Sequence, residues 1–265
     1  MKKVLTQTFV YLFLFFGNWF FLSQINWIKI FRIEAIISKI EKELGELLFI
    51  SLLESEKKIE DKYILESLDS ISNKICHANK IDKVEIHIFD NKEINAFALA
   101  NRHLIIYSGL ILNCDNQEEL IGVICHEIAH IEMKHTTKKL IKEIGIAFLI
   151  SLTTGNFGGQ IISDAAKLLS SRAFDRSLEK EADIKAVNYM ITAKVNPESF
   201  ANFFYKISEK EHQLSKYLKW INTHPDSKTR AKYILDYIKE KNSDYEPIIA
   251  KGTWNKIKNS IYNSR

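Results

Sequence analysis

Two histidines four residues apart constrain this chain more than any other feature. His126-Glu127-Ile128-Ala129-His130 lies in a stretch, roughly Asn116 to Lys138, whose apolar spacing predicts one helix. Positions i and i+4 sit one above the other on a helix, with Cβ atoms about 5–6 Å apart, so both imidazoles reach a single ion. Glu127 is displaced around the helix, beside such an ion, where it can hold a water and act as general base. A chance H-[DE]-x-x-H is expected only about 0.03 times in a chain of this composition, so the pattern is informative. Leu120, Ile121, Val123, Ile124, Ile128 and Ala129 surround the motif and predict a largely buried helix. Buried imidazoles need partners, and a metal ion satisfies both.

The 265 residues are 46% apolar and 11% aromatic, ample for one large or two small cores. A net charge of +4 arises from 37 basic and 33 acidic residues mixed along the chain, with no basic stripe that would argue for nucleic acid. Nine glycines and three prolines point to a mainly helical protein without repeats or low-complexity tracts. Cys76, Cys114 and Cys125 form no C-x-x-C and cannot all pair, so no disulfide framework is implied. Cys125 precedes His126, but adjacent helical residues diverge by about 100°, so a buried structural thiol is expected there.

No charge falls between Lys3 and Lys29, and Phe9–Leu22 is dense in Phe and Leu. That length can span a bilayer as one helix. An uncleaved anchor is the preferred reading, because no A-x-A site follows and Trp27 suits an interface; a cleaved signal and a core helix are the alternatives. Lys2 and Lys3 balance Lys29, Arg32, Lys39 and Lys42, so charge does not decide orientation.

From Ile33 to Lys80 apolar residues recur every three or four positions (Ile36, Ile40, Leu44; Ile64, Leu68, Ile71, Ile75), which predicts packing helices. The charge run Glu54–Lys62 reads as a solvated turn between them. The period then changes to two over Val84–Phe89, Ile94–Leu99 and His103–Tyr107, three strands ahead of the motif helix. His87 and His103 fall in this segment, with surface positions or local hydrogen bonds expected. Asp115 or Asn116, followed by Glu118 and Glu119, starts the motif helix. Ile144–Leu152 is apolar but too short to span a bilayer, and reads as buried or membrane-apposed. Helical pattern resumes near Ile161 and again at Ser177.

Two histidines leave a catalytic zinc site one protein ligand short. Glu179 is the choice, because Glu179-x-x-x-Asp183 puts two carboxylates on one helix face, one to bind metal and one to take an imidazole N–H. With H-E-x-x-H upstream this is the gluzincin arrangement.

At this point the chain resembles the M48 membrane-associated metallopeptidases, of the Ste24 and HtpX type. The resemblance is carried by Asn95-Ala96-Phe97 with Tyr107-Ser108-Gly109-Leu110, by HEIAH with His135, by Arg176-x-x-Glu179-x-Glu181-Ala182-Asp183, and by His224-Pro225 with Arg230. It covers roughly residues 75 to 240. It implies that His126, His130 and Glu179 bind one zinc per chain, that Glu127 activates water, and that Asp183 orients a ligand. It places Asn95, Ala96 and Phe97 at the rim of the cleft, where a substrate peptide adds as a strand. The family often has Pro at Ala100, so the match is weaker in that loop. His135, on another helix face, is expected beside the ligands or at the surface. His224 stays open between capping a helix that starts at Pro225 and runs to about Lys241, and lying near the zinc, where it stabilises the oxyanion or fills the open position. Arg230 then pairs with a carboxylate near the site.

The expected fold is α+β and mainly helical, a zincin-like metallopeptidase domain with a small sheet before the H-E-x-x-H helix. The expected segments are an anchor or signal (1–28), a helical packing segment (29–75), the peptidase domain (76–241) and a polar tail (242–265). The expected activity is zinc-dependent endopeptidase action on polypeptides in membrane or envelope quality control. The expected location is a single-pass anchorage in a bacterial inner membrane, catalytic domain in the periplasm, with the side not decided by charge. The alternative is a zinc-binding chaperone or assembly factor whose peptidase site is shut by His224.

Overall fold

Asn116 decides where the motif helix begins. In the computed structural model its side chain accepts a hydrogen bond from the Glu119 amide at 2.9 Å, and Glu119 Oε2 takes the Asp115 amide in return at 2.9 Å. This is a reciprocal cap of the first turn. The structure describes residues 33–145, 173–210, 217–241 and 244–263, with scattered positions between 7 and 17 and between 162 and 169. Two compact units divide the chain, Met1–Ile40 and Glu41–Arg265, and the description below concerns the second.

The elements, in order, are α1 (Ile33–Ser55), α2 (Lys62–Asn79), β1 (Glu85–Phe89), β2 (Ala96–Ala98), β3 (His103–Tyr107), α3 (Ser108–Asn113), α4 (Gln117–Glu132) and α5 (His135–Ile144). They continue as α6 (Arg176–Thr192), α7 (Glu198–Glu209), α8 (Lys219–Thr223), α9 (Ser227–Ile238) and α10 (Lys251–Asn263). All three predicted strands form, in the order β1-β3-β2. β1 pairs parallel with β3, and β2 antiparallel with it, Ala98 opposite Leu104. Asn101 and Arg102, both left-handed (φ 56° and 62°), close the β2–β3 hairpin.

On α2, Ile64, Leu68, Ile71 and Ile75 are buried as their spacing predicts, each contributing about 1.5–3 kcal/mol. α4 is buried almost all round, between α6, α7 and β2. Its contact with α7 is close because Gly122 faces Phe200; a Cβ there would come within 2.6 Å of the Phe200 Cβ. Gly122→Ala is therefore expected to destabilise the fold by about 1–2 kcal/mol in a urea melt, overpacking outweighing the roughly 1 kcal/mol of gained helix propensity. An unchanged or raised midpoint would contradict this packing.

Three expectations change and a fourth narrows. The motif helix does not reach Lys138: it ends at Met133, Lys134 turns left-handed at φ 56°, and α5 starts at His135. Pro225 does not open a helix, since Asp226 is left-handed at φ 67° and α9 begins at Ser227, while His224 caps the C-terminal end of α8. The segment after Asn242 is more than a polar tail, because α10 buries Trp254, Ile257 and Ile261 against the α2 and α3 region. Of the two readings for His87 and His103, local hydrogen bonding holds and surface exposure does not: both are buried, with His87 Nε2 3.0 Å from His103 Nδ1. The expected anchor lies almost wholly outside the described residues, as does most of Ile144–Leu152 and of the stretch resuming at Ile161. Among the described residues no helix is long and apolar enough to cross a membrane.

Candidate metal centre

Two helices and the loop after a third bring the candidate donors together. The i, i+4 spacing on α4 sets His126 Nε2 and His130 Nε2 3.0 Å apart. Glu179, on the face of α6 packed against α4, approaches them at 3.6 Å from His126 Nε2 and 3.4 Å from His130 Nε2. The chain leaving α8 adds His224, whose Nδ1 is 3.2 Å from His126 Nε2 and 3.0 Å from Glu179 Oε1. Four ligand atoms, one from each residue, all lie within 4.8 Å of one another, and all four residues are buried. A tetrahedral ion with bonds of about 2.0–2.1 Å needs donors about 3.3–3.4 Å apart, so the donor set fits such a cation.

The surrounding groups fix which imidazole nitrogen faces inward. Asp183, one turn beyond Glu179, lies 2.9 Å from His126 Nδ1 and takes its proton, leaving the Nε2 lone pair toward the centre. His135 Nδ1 lies 3.0 Å from His130 Nδ1 and orients that ring from behind, while His135 Nε2 has no hydrogen-bond partner and Glu181 Oε2 stands 3.5 Å from it. The break at Lys134 is what swings His135 back; on a continuous helix it would face elsewhere.

Arg230 holds the carboxylates. Its Nε and an η nitrogen donate to both Asp183 oxygens at 2.8 and 2.6 Å, and Nη1 lies 2.6 Å from Glu179 Oε2, out of line for a hydrogen bond. The guanidinium stacks on Phe204 at 4.2 Å, and Tyr233 donates to Asp183. Glu127 Oε2 accepts the Ala98 amide of β2 at 2.9 Å, while Oε1 has no hydrogen-bond partner and sits 3.3 Å from His224 Nε2. The Phe174 ring lies over His130 at 4.2 Å.

Burial dominates the electrostatics. It pushes His126 down to about 3 and lowers His224, so both imidazoles are neutral and able to bind a cation at neutral pH. It pushes Glu127 up to about 7. Burial works to raise Glu179 and Asp183, but the facing His224 imidazole and Arg230 guanidinium hold Glu179 well below the usual carboxylate range, and the Arg230 charge with the His126 hydrogen bond holds Asp183 down.

Of the residues singled out in the sequence, His126, Glu127, His130, Glu179, Asp183, His224 and Arg230 converge on one centre. Asn95, Ala96 and Phe97 do not; they run along β2, where Ala98 is the residue that touches Glu127, and Phe97 packs edge-on to Tyr107 at 5.8 Å. Sequence reasoning passed over Phe174, Tyr233 and Thr136, whose hydroxyl bonds the Ala98 carbonyl at 3.1 Å. A ring and two hydroxyls at scattered positions carry no spacing that could have marked them.

An H-E-x-x-H helix under a small sheet, with a further carboxylate from a later helix, is the layout of a metallopeptidase domain. The sequence profile of peptidase family M48 matches residues 61–238, and the chain belongs to that family. Among similar proteins, a beta-barrel assembly-enhancing protease of Yersinia pestis is 22% identical over 226 residues, covering 77% of this chain and 46% of that protein. The mitochondrial metalloendopeptidase OMA1 of Schizosaccharomyces pombe is 26% identical over 160 residues, 60% of this chain and 48% of its own length. The metalloprotease LoiP of Escherichia coli is 28% identical over 178 residues, 64% of this chain and 68% of LoiP. The chain thus spans about half the length of the first two.

Proposed function

We propose that the chain is a zinc endopeptidase acting on polypeptides, with His126, His130 and Glu179 holding one zinc ion and Glu127 as the general base. The observation carrying this reading is the buried His126–His130–Glu179 donor set beside a carboxylate with one oxygen unpaired. Zinc bound there would supply a water that ionises near pH 7 and a Lewis acid for a scissile carbonyl. The chain's own residues do the rest. The Ala98 amide fixes Oε2 of Glu127, so Oε1 takes the proton of the attacking water and returns it to the leaving amine. Asp183 and His135 keep the ligand imidazoles in register. Arg230 balances the charge of Glu179 and Asp183.

Substrate peptide is proposed to lie beside β2, where Asn95 carries a buried side-chain amide with neither atom hydrogen-bonded. The Ala98 amide and carbonyl are already taken by Glu127 and Thr136, and the Asn95 carbonyl by the Tyr107 amide, so Ala96 is the better candidate for main-chain pairing. A role in membrane or envelope protein quality control is part of this proposal, by analogy with a similar protein named for enhancing beta-barrel assembly. Attachment to a membrane through residues 1–28 is supported by the uncharged stretch there and by the exposure of Tyr11, Leu12, Phe15 and Phe16; a bacterial inner membrane with the peptidase domain in the periplasm is the proposed setting. No nucleic acid partner is proposed.

One observation favours a self-restrained form. His224 stands as a fourth donor and faces Glu127 Oε1, filling the place where water and substrate would enter. The test is casein hydrolysis by the full-length chain in detergent, wild type against His224→Ala, with zinc content measured for each. His224→Ala is expected to retain zinc and cleave faster, by about tenfold for each 1.4 kcal/mol with which the imidazole holds that position. Cleavage lost while zinc is kept would make His224 a helper of the reaction. Zinc in both chains and cleavage by neither would favour a binding role such as a chaperone.

A further inference from the structure

A second group of donors sits on the sheet, sharing no residue with the first. Glu85 and His87 are two residues apart on β1 and so point to the same face. In the parallel β1–β3 pairing, His103 stands directly opposite Glu85. Three donor atoms meet there. His87 Nε2 is 3.0 Å from His103 Nδ1, and Glu85 Oε2 is 3.9 Å from the former and 3.7 Å from the latter. These separations bracket the roughly 3.3–3.4 Å that a tetrahedral ion with 2.0–2.1 Å bonds requires.

The rings are held for the purpose. Glu46 Oε1, 3.2 Å from His103 Nε2, takes the proton of that nitrogen, which leaves the Nδ1 lone pair facing His87. Phe49 lies against both rings, with centroids 4.1 Å from His87 and 4.9 Å from His103. Both imidazoles are buried, whereas the Glu85 side chain is 63% exposed, so the fourth position opens on solvent. A plain hydrogen bond from His87 to His103 accounts for the 3.0 Å spacing. It does not account for a carboxylate held beyond hydrogen-bond reach of both rings on their shared side.

We propose that Glu85, His87 and His103 form a second metal site, for a divalent first-row transition ion such as zinc, oriented by Glu46. Two imidazoles and one carboxylate suit zinc, copper or nickel better than calcium or magnesium. A bound ion would clamp β1 to β3 in place of the proton between the rings, and through Glu46 and Phe49 would tie the sheet to α1. This site stands independently of the peptidase reading.

The test uses the full-length chain in detergent, stripped with a chelator and titrated with zinc alone, by calorimetry and metal analysis. Wild type is expected to bind two equivalents. His87→Asn should bind one and keep its casein activity. Glu85→Gln, a surface change that leaves the core intact, should weaken one equivalent by tenfold or more. His126→Ala/His130→Ala should lose the other equivalent and keep the one that depends on His87. If that double variant binds no zinc, or if zinc binding by wild type is the same in His87→Asn and Glu85→Gln, the second site is overturned. If His87→Asn loses one equivalent while His126→Ala/His130→Ala loses none, the second site stands and the catalytic zinc fails. Should His87→Asn fold poorly, the affinity change in Glu85→Gln alone decides.

Discussion

Glu127→Gln is expected to leave the zinc content of the chain unchanged and to slow casein hydrolysis by about 10²–10⁴-fold, the usual worth of a positioned general base. Gln keeps the shape of the side chain and an oxygen for the Ala98 amide, so the strand–helix contact survives. What it loses is a basic atom at Oε1. The same substitution carries a second signature in metal-stripped protein. Glu127 is fully buried, and burial raises it from an ordinary 4.5 to about 7. The folded state therefore holds this proton more tightly than the unfolded chain does. Stability from this group is complete below about pH 4.5 and is lost as pH rises to about 7, at about 1.4 kcal/mol per unit. Neutral Gln escapes that loss, so the chelated variant should be more stable than chelated wild type at pH 8, by roughly 3 kcal/mol, with no gain at pH 4. Urea melts at the two pH values read the difference. An equal gain at both would show that Glu127 is ionised throughout, or that packing alone separates the two proteins.

Arg230→Met should cost about 3–5 kcal/mol, the effect of leaving buried charges without their partner. Arg230 is itself buried, donates twice to Asp183, touches Glu179 and stacks on Phe204 and Trp220. Met retains much of the stacking volume, so the loss measures the charge. Arg230→Lys should recover little, because one ammonium cannot make two parallel bonds to Asp183 while reaching Glu179. Zinc affinity should fall along with stability, since Asp183 would no longer be held against His126 Nδ1. An unfolding free energy within about 0.5 kcal/mol of wild type would mean that the Asp183 and Glu179 carboxylates are neutral or solvated.

The sequence by itself determined whatever local periodicity encodes. The strand Val84–Phe89 was legible from its alternation, and Ile94–Leu99 and His103–Tyr107 as short apolar runs, which suits strands buried on both faces. The i, i+4 pairs on α4 and α6 were legible because helix geometry fixes their spacing. That Glu179 and Asp183 belong beside His126 followed from chemistry, since a site with two imidazoles needs a third ligand and an orienting carboxylate. Tertiary structure alone decided the rest. Lys134, which rarely adopts left-handed backbone, and Asp226, which tolerates it but does not require it, both do so here, and this shifted the start of two helices and turned His135 toward His130. In one dimension His224 stays open between a helix cap and a place near the zinc; only the packing of α8 against the centre brings it among the donors. His87 and His103 looked like ordinary strand histidines because parallel pairing, which sets Glu85 opposite His103, depends on a crossover that no local pattern specifies. Short-range geometry is written into residue spacing, whereas the meeting of distant side chains depends on which faces pack, a property of the whole chain.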